Sequence, residues 1–110
     1  MEATPRSVSV YLARGEDSPF DDWMDGLRDL FGRVQIEKRI NKLRRGLVGE
    51  YTDVGDGLIE LKIDVGPGYR VYCADDGANV LILCGGRKGT QEADITKAKR
   101  YWKEYKTRGQ

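Results

Sequence analysis

The chain has 110 residues, 34% of them charged, a formal net charge of +1 and no histidine. That length fits one compact domain, and residues 1–110 are read as a single unit. The missing imidazole excludes Ser-His-Asp catalysis, haem ligation by histidine and His-containing zinc sites.

"SVSVYLA" (Ser7 to Ala13) opens with alternating, β-branched residues and predicts a first strand. "SPFDDWMDGLRDLF" follows. Ser18 is placed to cap, Pro19 suits the first helical position and Asp21 completes a capping box. Phe20, Trp23, Met24, Leu27 and Phe31 recur at helical spacing, which predicts an amphipathic helix up to a break at Gly32. A second helix is expected from Arg33 to Arg45, its apolar line formed by Ile36, Ile40, Leu43 and Leu47. Gly46 and Gly49 end it, and the pair forms an αα-hairpin.

Three antiparallel strands are expected next: Leu58 to Val65, Tyr69 to Ala74 and Asn79 to Cys84. A GPG turn joins the first two and a turn at Asp76-Gly77 the last two. Thr90 is placed to cap a final helix with the stripe Ile95, Ala98, Trp102 and Tyr105. Tyr101, Trp102 and Tyr105 are either core residues or part of a surface for a partner.

The charges are unevenly spread. Met1 to Gly32 holds seven acids and three bases, Arg33 to Arg45 six bases and one acid, Arg87 to Arg108 eight bases and three acids. This asymmetry fits either an anionic partner on one side or two solvated helix faces. With a hairpin turning at Asp76-Gly77, Cys73 would stand opposite Val80, so Cys73 and Cys84 are read as reduced core thiols that do not meet. Reduced thiols, no basic-then-apolar leader and no apolar run of membrane length predict a cytoplasmic protein without a membrane segment.

Alternation assigns the strand faces. Ile59, Leu61, Ile63 and Val65 share one side with Tyr69, Val71 and Cys73; Glu60, Lys62 and Asp64 share the other with Arg70 and Tyr72. If helices cover only the aliphatic face, then Glu60, Lys62, Arg70 and Tyr72 stand on an open one. Arg87 and Lys88 would curl over it, forming a bowl for a phosphodiester and a stacked base. The plainer reading is an ordinary solvated strand face, with Arg70 paired to Glu60 and Tyr72 packed on Lys62. Asp64 and Asp94 are read as solvated or turn-stabilising.

"FDDWMDGLRD", "ELKIDVGPGYRVYC" and "LILCGGRKGTQEADITKAKRYWKEY", in this order, resemble the addiction-module killer proteins. These are a HigB-like branch of the RelE/ParE superfamily of type II toxins. The resemblance runs from about Arg6 to Tyr105. It implies an α+β fold: a small antiparallel β-sheet with an N-terminal αα-hairpin on one face and a C-terminal helix. It also implies a ribosome-dependent endoribonuclease that cuts mRNA without metal or cofactor. The implied partner is a helix-turn-helix antitoxin.

By position, Arg70 matches the arginine that contacts the scissile phosphate in RelE-type enzymes, and Lys62 a strand cation with the same task. Arg87 and Lys88 match the basic pair after the last strand. Glu60 stands where some RelE-type toxins have a second basic residue, so an acid here is a departure, and the late tyrosine of RelE proper has no clear counterpart, Asp94 lying near its place. RNA supplies its own 2′-hydroxyl nucleophile, so clamping cations can serve the largest electrostatic task. Lys62, or Glu60 as its rival, is the candidate base; Arg87 or Lys88 is the candidate acid or clamp. Tyr72 offers a ring for a base, and Arg39, Lys42 and Arg45 a basic surface for RNA. Two alternatives share the resemblance: a ParE-like gyrase inhibitor, and an inactive phage-derived interaction module.

Overall fold

A computed structural model describes residues 5–14, 17–75 and 78–108, arranged as β1 (Ser7–Val10), α1 (Pro19–Asp25), α2 (Leu30–Arg44), β2 (Tyr51–Gly55), β3 (Leu58–Ile63), β4 (Tyr69–Asp75), β5 (Asn79–Arg87) and α3 (Gln91–Arg108). The turn expected at Asp76-Gly77 lies outside the described residues. No helix among the described residues is long and apolar enough to cross a membrane.

The helical hairpin forms with its joint moved. Ser18 Oγ accepts the Asp21 N–H at 3.1 Å and Pro19 occupies the first turn, which starts α1 as expected. The helix then stops at Gly26 rather than Gly32, because Asp29 is a second N-cap: its carboxylate accepts the Gly32 N–H at 2.9 Å and the Tyr69 hydroxyl at 2.7 Å. Gly32 therefore lies in the first turn of α2, where a Cβ would press on the Tyr69 ring and the Asp29 carboxylate. Restarting the helix at Leu30 turns Leu30 and Phe31 outward, 70% and 62% exposed, so Phe31 leaves the expected core stripe. Leu47 is exposed too, and half-buried Val48 packs in its place. Ile36, Ile40 and Leu43, at helical spacing, are buried as the periodicity predicts.

The sheet has five strands in the order β1-β5-β4-β3-β2 and is mixed, not antiparallel: β1 runs parallel to β5, Val10 beside Ile82. The sequence reading omitted β2. It forms a hairpin with β3 through Asp56 and Gly57, both at positive φ, the geometry that Asp-Gly favours in two-residue turns. Cys73 stands opposite Ile82 rather than Val80, in one register with the Ala74–Leu81 and Asp75–Val80 pairs, and a bulge follows between Cys73 and Tyr72.

Both faces of the sheet are covered, and this is the main departure from expectation. Ile59, Leu61, Ile63, Tyr69, Val71 and Cys73 pack under α1 and α2, as their alternation requires. Leu58, Tyr72, Ala74, Leu83 and Cys84 form a second cluster under α3 with Ala98 and half-buried Ile95, Tyr101 and Trp102. Tyr105 lies at its rim, stacked on Trp102 at 5.8 Å and 42% exposed. Cys73 and Cys84 belong to different clusters, and both are free and buried.

Candidate functional site

The residues predicted to stand on an open face lie largely inside. Glu60 is 3% exposed, Arg70 5% and Tyr72 0%. Glu60 Oε2 accepts the Tyr72 hydroxyl at 2.8 Å and Gln91 Nε2 at 3.0 Å, tying β3 and β4 to the first turn of α3. Burial, then the bond to Glu60, pushes the Tyr72 phenol up. A base cannot stack on Tyr72 here, and Glu60 is a structural acceptor rather than a solvent-facing base.

Lys62 and Arg70 do share a side, as direct partners across β3 and β4. Lys62 is half-buried. Arg70 donates from Nη1 to the Asp64 carboxylate at 2.9 Å and to the Tyr69 carbonyl at 3.0 Å, while its buried Nε has no hydrogen-bond partner among the described residues. The ion pair expected with Glu60 is thus made with Asp64, which is neither merely solvated nor a turn residue. Gly68, at φ +84°, lies between Arg70 and Lys88: a Cβ there would come within 3.3 Å of Lys88 Cβ and 3.7 Å of Arg70 Nη1. The Lys88 N–H donates to the Gly68 carbonyl at 2.7 Å. Lys62, Arg70 and Lys88 therefore stand at one corner, where exposed Asp64 pairs with Arg70.

Arg87 does not join them from the same face. It stands opposite Tyr69 at the end of β5, on the α1 side of the sheet. The α2 cations separate as well. Arg39 donates to the carbonyls of Val48 at 2.9 Å, Lys62 at 2.5 Å and Glu50, so its guanidinium is engaged in fastening β2 and β3 to α2. Desolvation lowers its pKa from the ordinary value. Lys42 and Arg45 are exposed on α2 and its C-cap, across the sheet from Lys62 and Arg70.

Asp94 is buried, not solvated. Its carboxylate accepts the Thr90 hydroxyl at 2.6 Å and lies over Gly86, where any side chain would collide with it. Gln91, Asp64 and the Arg39 clamp were missed from the sequence. Asp64, two residues past Lys62 on an alternating strand, was the legible one. Gln91 contacts Glu60 across 31 positions of sequence, and nothing local announces it. Among the described residues, no group of three or more His, Cys, Asp or Glu side chains is placed to hold a metal ion.

This geometry defines a two-core α+β domain with a cationic corner at the ends of three strands. Over 81 residues the chain is 46% identical to an uncharacterized protein of Haemophilus influenzae, a match that covers 73% of this chain and 82% of that one. The chain belongs to the same family as that protein. No family model matches the chain, and no solved structure matches it.

Proposed function

We propose that the chain is a type II toxin of the RelE/ParE class that cuts mRNA on the ribosome. The observation that carries this reading is the corner where Lys62, Arg70 and Lys88 stand together, with only Arg70 paired to a carboxylate, that of Asp64. Three cations against one carboxylate leave a net attraction for a bridging phosphate, and the half-buried setting weakens it less than water would.

In this reading Lys62 and Lys88 touch the RNA. Arg70 is a positioning residue that holds the corner through Asp64. The 2′-hydroxyl loses its proton and its oxygen attacks the adjacent phosphorus. The bond from phosphorus to the 5′-oxygen breaks, and that oxygen takes up a proton. The products are a 2′,3′-cyclic phosphate and a free 5′-hydroxyl. Lys62, in its neutral form, takes the 2′-hydroxyl proton, and the Lys88 ammonium clamps the phosphate and gives a proton to the leaving 5′-oxygen. A helix-turn-helix antitoxin is the proposed partner and the cytoplasm the proposed compartment.

Controlled expression in a bacterium without an antitoxin tests this. Growth arrest with new 5′ ends in messages is expected, and Lys62→Ala or Lys88→Ala should lower cutting by 100-fold or more while the circular dichroism is unchanged. Growth without arrest, or full cutting by both variants, would refute it.

The burial of Glu60, Arg70 and Tyr72 favours a second reading, a non-catalytic module of the same class that acts by gripping a protein. Exposed Leu30, Phe31 and Val34 on α2 then supply the contact, as a ParE-like gyrase inhibitor requires. Growth arrest with intact messages and co-purified gyrase would select it.

A further inference from the structure

A cavity at the free edge of β5 takes no part in the proposed reaction. β1 pairs with β5 only from Ser7 to Val10 against Asn79 to Ile82, and the Tyr11 N–H adds one bond to the Ile82 carbonyl. Beyond that point no strand among the described residues covers the outer edge of β5. Instead α1 and α3 stand apart on either side of it, and Cys84 to Arg87 form the floor of a cleft of about 550 Å³. That volume falls within the roughly 300–1,000 Å³ usual for small-molecule sites.

Its walls combine two chemistries. Half-buried Trp23 and Leu27 line one side and half-buried Tyr101 the other, while exposed Arg87 and Lys97 stand at the cleft. Trp23 is fixed by an edge contact to Tyr69, ring centroids 6.0 Å apart, and Tyr101 by stacking on Tyr11 at 5.1 Å. The Asp94 carboxylate in the wall already accepts a hydrogen bond from Thr90 and so opposes an anion less than a free acid would. Prefixed rings, an uncovered strand edge and two cations together match a flat heterocycle that carries a phosphate.

From this the geometry points to a nucleotide-binding subsite in the cleft between α1 and α3. The base lies against Trp23 and the edge of Cys84 to Arg87, and its phosphate meets Arg87 and Lys97. The choice of a nucleotide over an added peptide strand rests on the RNA-directed reading above and on these cations. Arg87 follows directly after Gly86, the β5 partner of Arg70, but faces the other side of the sheet, so the subsite is distinct from the corner.

The test titrates the whole protein with each of the four nucleoside 5′-monophosphates, with ribose 5-phosphate and inorganic phosphate as controls, followed by backbone amide shifts. Saturable binding is expected for at least one nucleotide, with shifts confined to Cys84–Arg87 and Ala93–Lys97. Ribose 5-phosphate should bind at least ten-fold more weakly. Ala93 is an exposed helical position in the wall, so Ala93→Phe should fill the cleft and weaken binding ten-fold or more without loss of helicity. Lys97→Glu should do the same, whereas Lys103→Ala, at an exposed α3 position outside the cleft lining, should leave it intact.

No saturable binding, equal binding of inorganic phosphate, shifts confined to Lys62 and Arg70, or unchanged binding by Ala93→Phe would each overturn the subsite. The two readings separate cleanly. Nucleotide binding without message cutting leaves the subsite standing and removes the nuclease; cutting untouched by Ala93→Phe, with no nucleotide bound, does the reverse.

Discussion

The Tyr72 hydroxyl donates to the Glu60 carboxylate at 2.8 Å inside the second core, beneath the start of α3. A tyrosine and a glutamate facing each other on adjacent strands look from the sequence like surface residues, yet here they are a buried polar joint. Removing one partner leaves the other poorly satisfied. Tyr72→Phe should lower stability by about 1–3 kcal/mol in urea unfolding. Glu60→Gln should keep any message cutting within a few-fold, because Glu60 faces Tyr72 and Gln91 rather than solvent; a hundred-fold loss in a folded variant would restore it as the base.

Arg39 makes three backbone contacts from one guanidinium, and Gly49, at φ +72°, leaves room for it. Arg39→Met should cost about 1–3 kcal/mol through carbonyls left without a donor. Gly49→Ala should destabilise as well, since its Cβ would press on the guanidinium at 2.7 Å in a backbone conformation unsuited to alanine. A stable Arg39→Met that loses RNA binding would instead return Arg39 to the basic surface.

Burial pushes the Cys73 and Cys84 thiols up from an ordinary 9 to about 12. Both should therefore resist a thiol reagent at pH 8 in the folded protein and react at once in denaturant. Modification of Cys84 at the rate of a free thiol would show that its sulfur is reached by solvent from the α1–α3 cleft.

Tyr11, buried and donating at 2.6 Å to Glu104, is raised from an ordinary 10 to about 12, first by burial and then by that bond. The same bond holds the Glu104 carboxyl below its ordinary value. The raised group contributes stability that is complete below pH 10 and lost as pH climbs toward 12; the lowered one contributes above the usual carboxylate range and is lost on acidification. Tyr11→Phe should flatten the alkaline arm of a stability–pH curve and weaken the acid one. An unaltered alkaline arm would place the titration elsewhere.

Local patterning determined most of the secondary structure. Period-2 alternation marked β3 and β4 and correctly placed Ile59, Leu61, Ile63 and Val71 in one core, since successive strand side chains must face opposite ways, while a continuous apolar run between turns marked β5. Helical spacing did the same for Ile36, Ile40 and Leu43, and the Ser18-Pro19 start of α1 was readable because capping is a contact within one turn. The β2 hairpin was equally legible in Asp56-Gly57 and was passed over.

What covers a strand face is a different kind of question, because its answer lies tens of residues away along the chain. Only the tertiary structure placed α3 over Glu60 and Tyr72, and only it turned Asp64 toward Arg70 and Arg87 to the far side of the sheet. Alternation distinguishes one side of a strand from the other; packing between distant segments decides which side meets water.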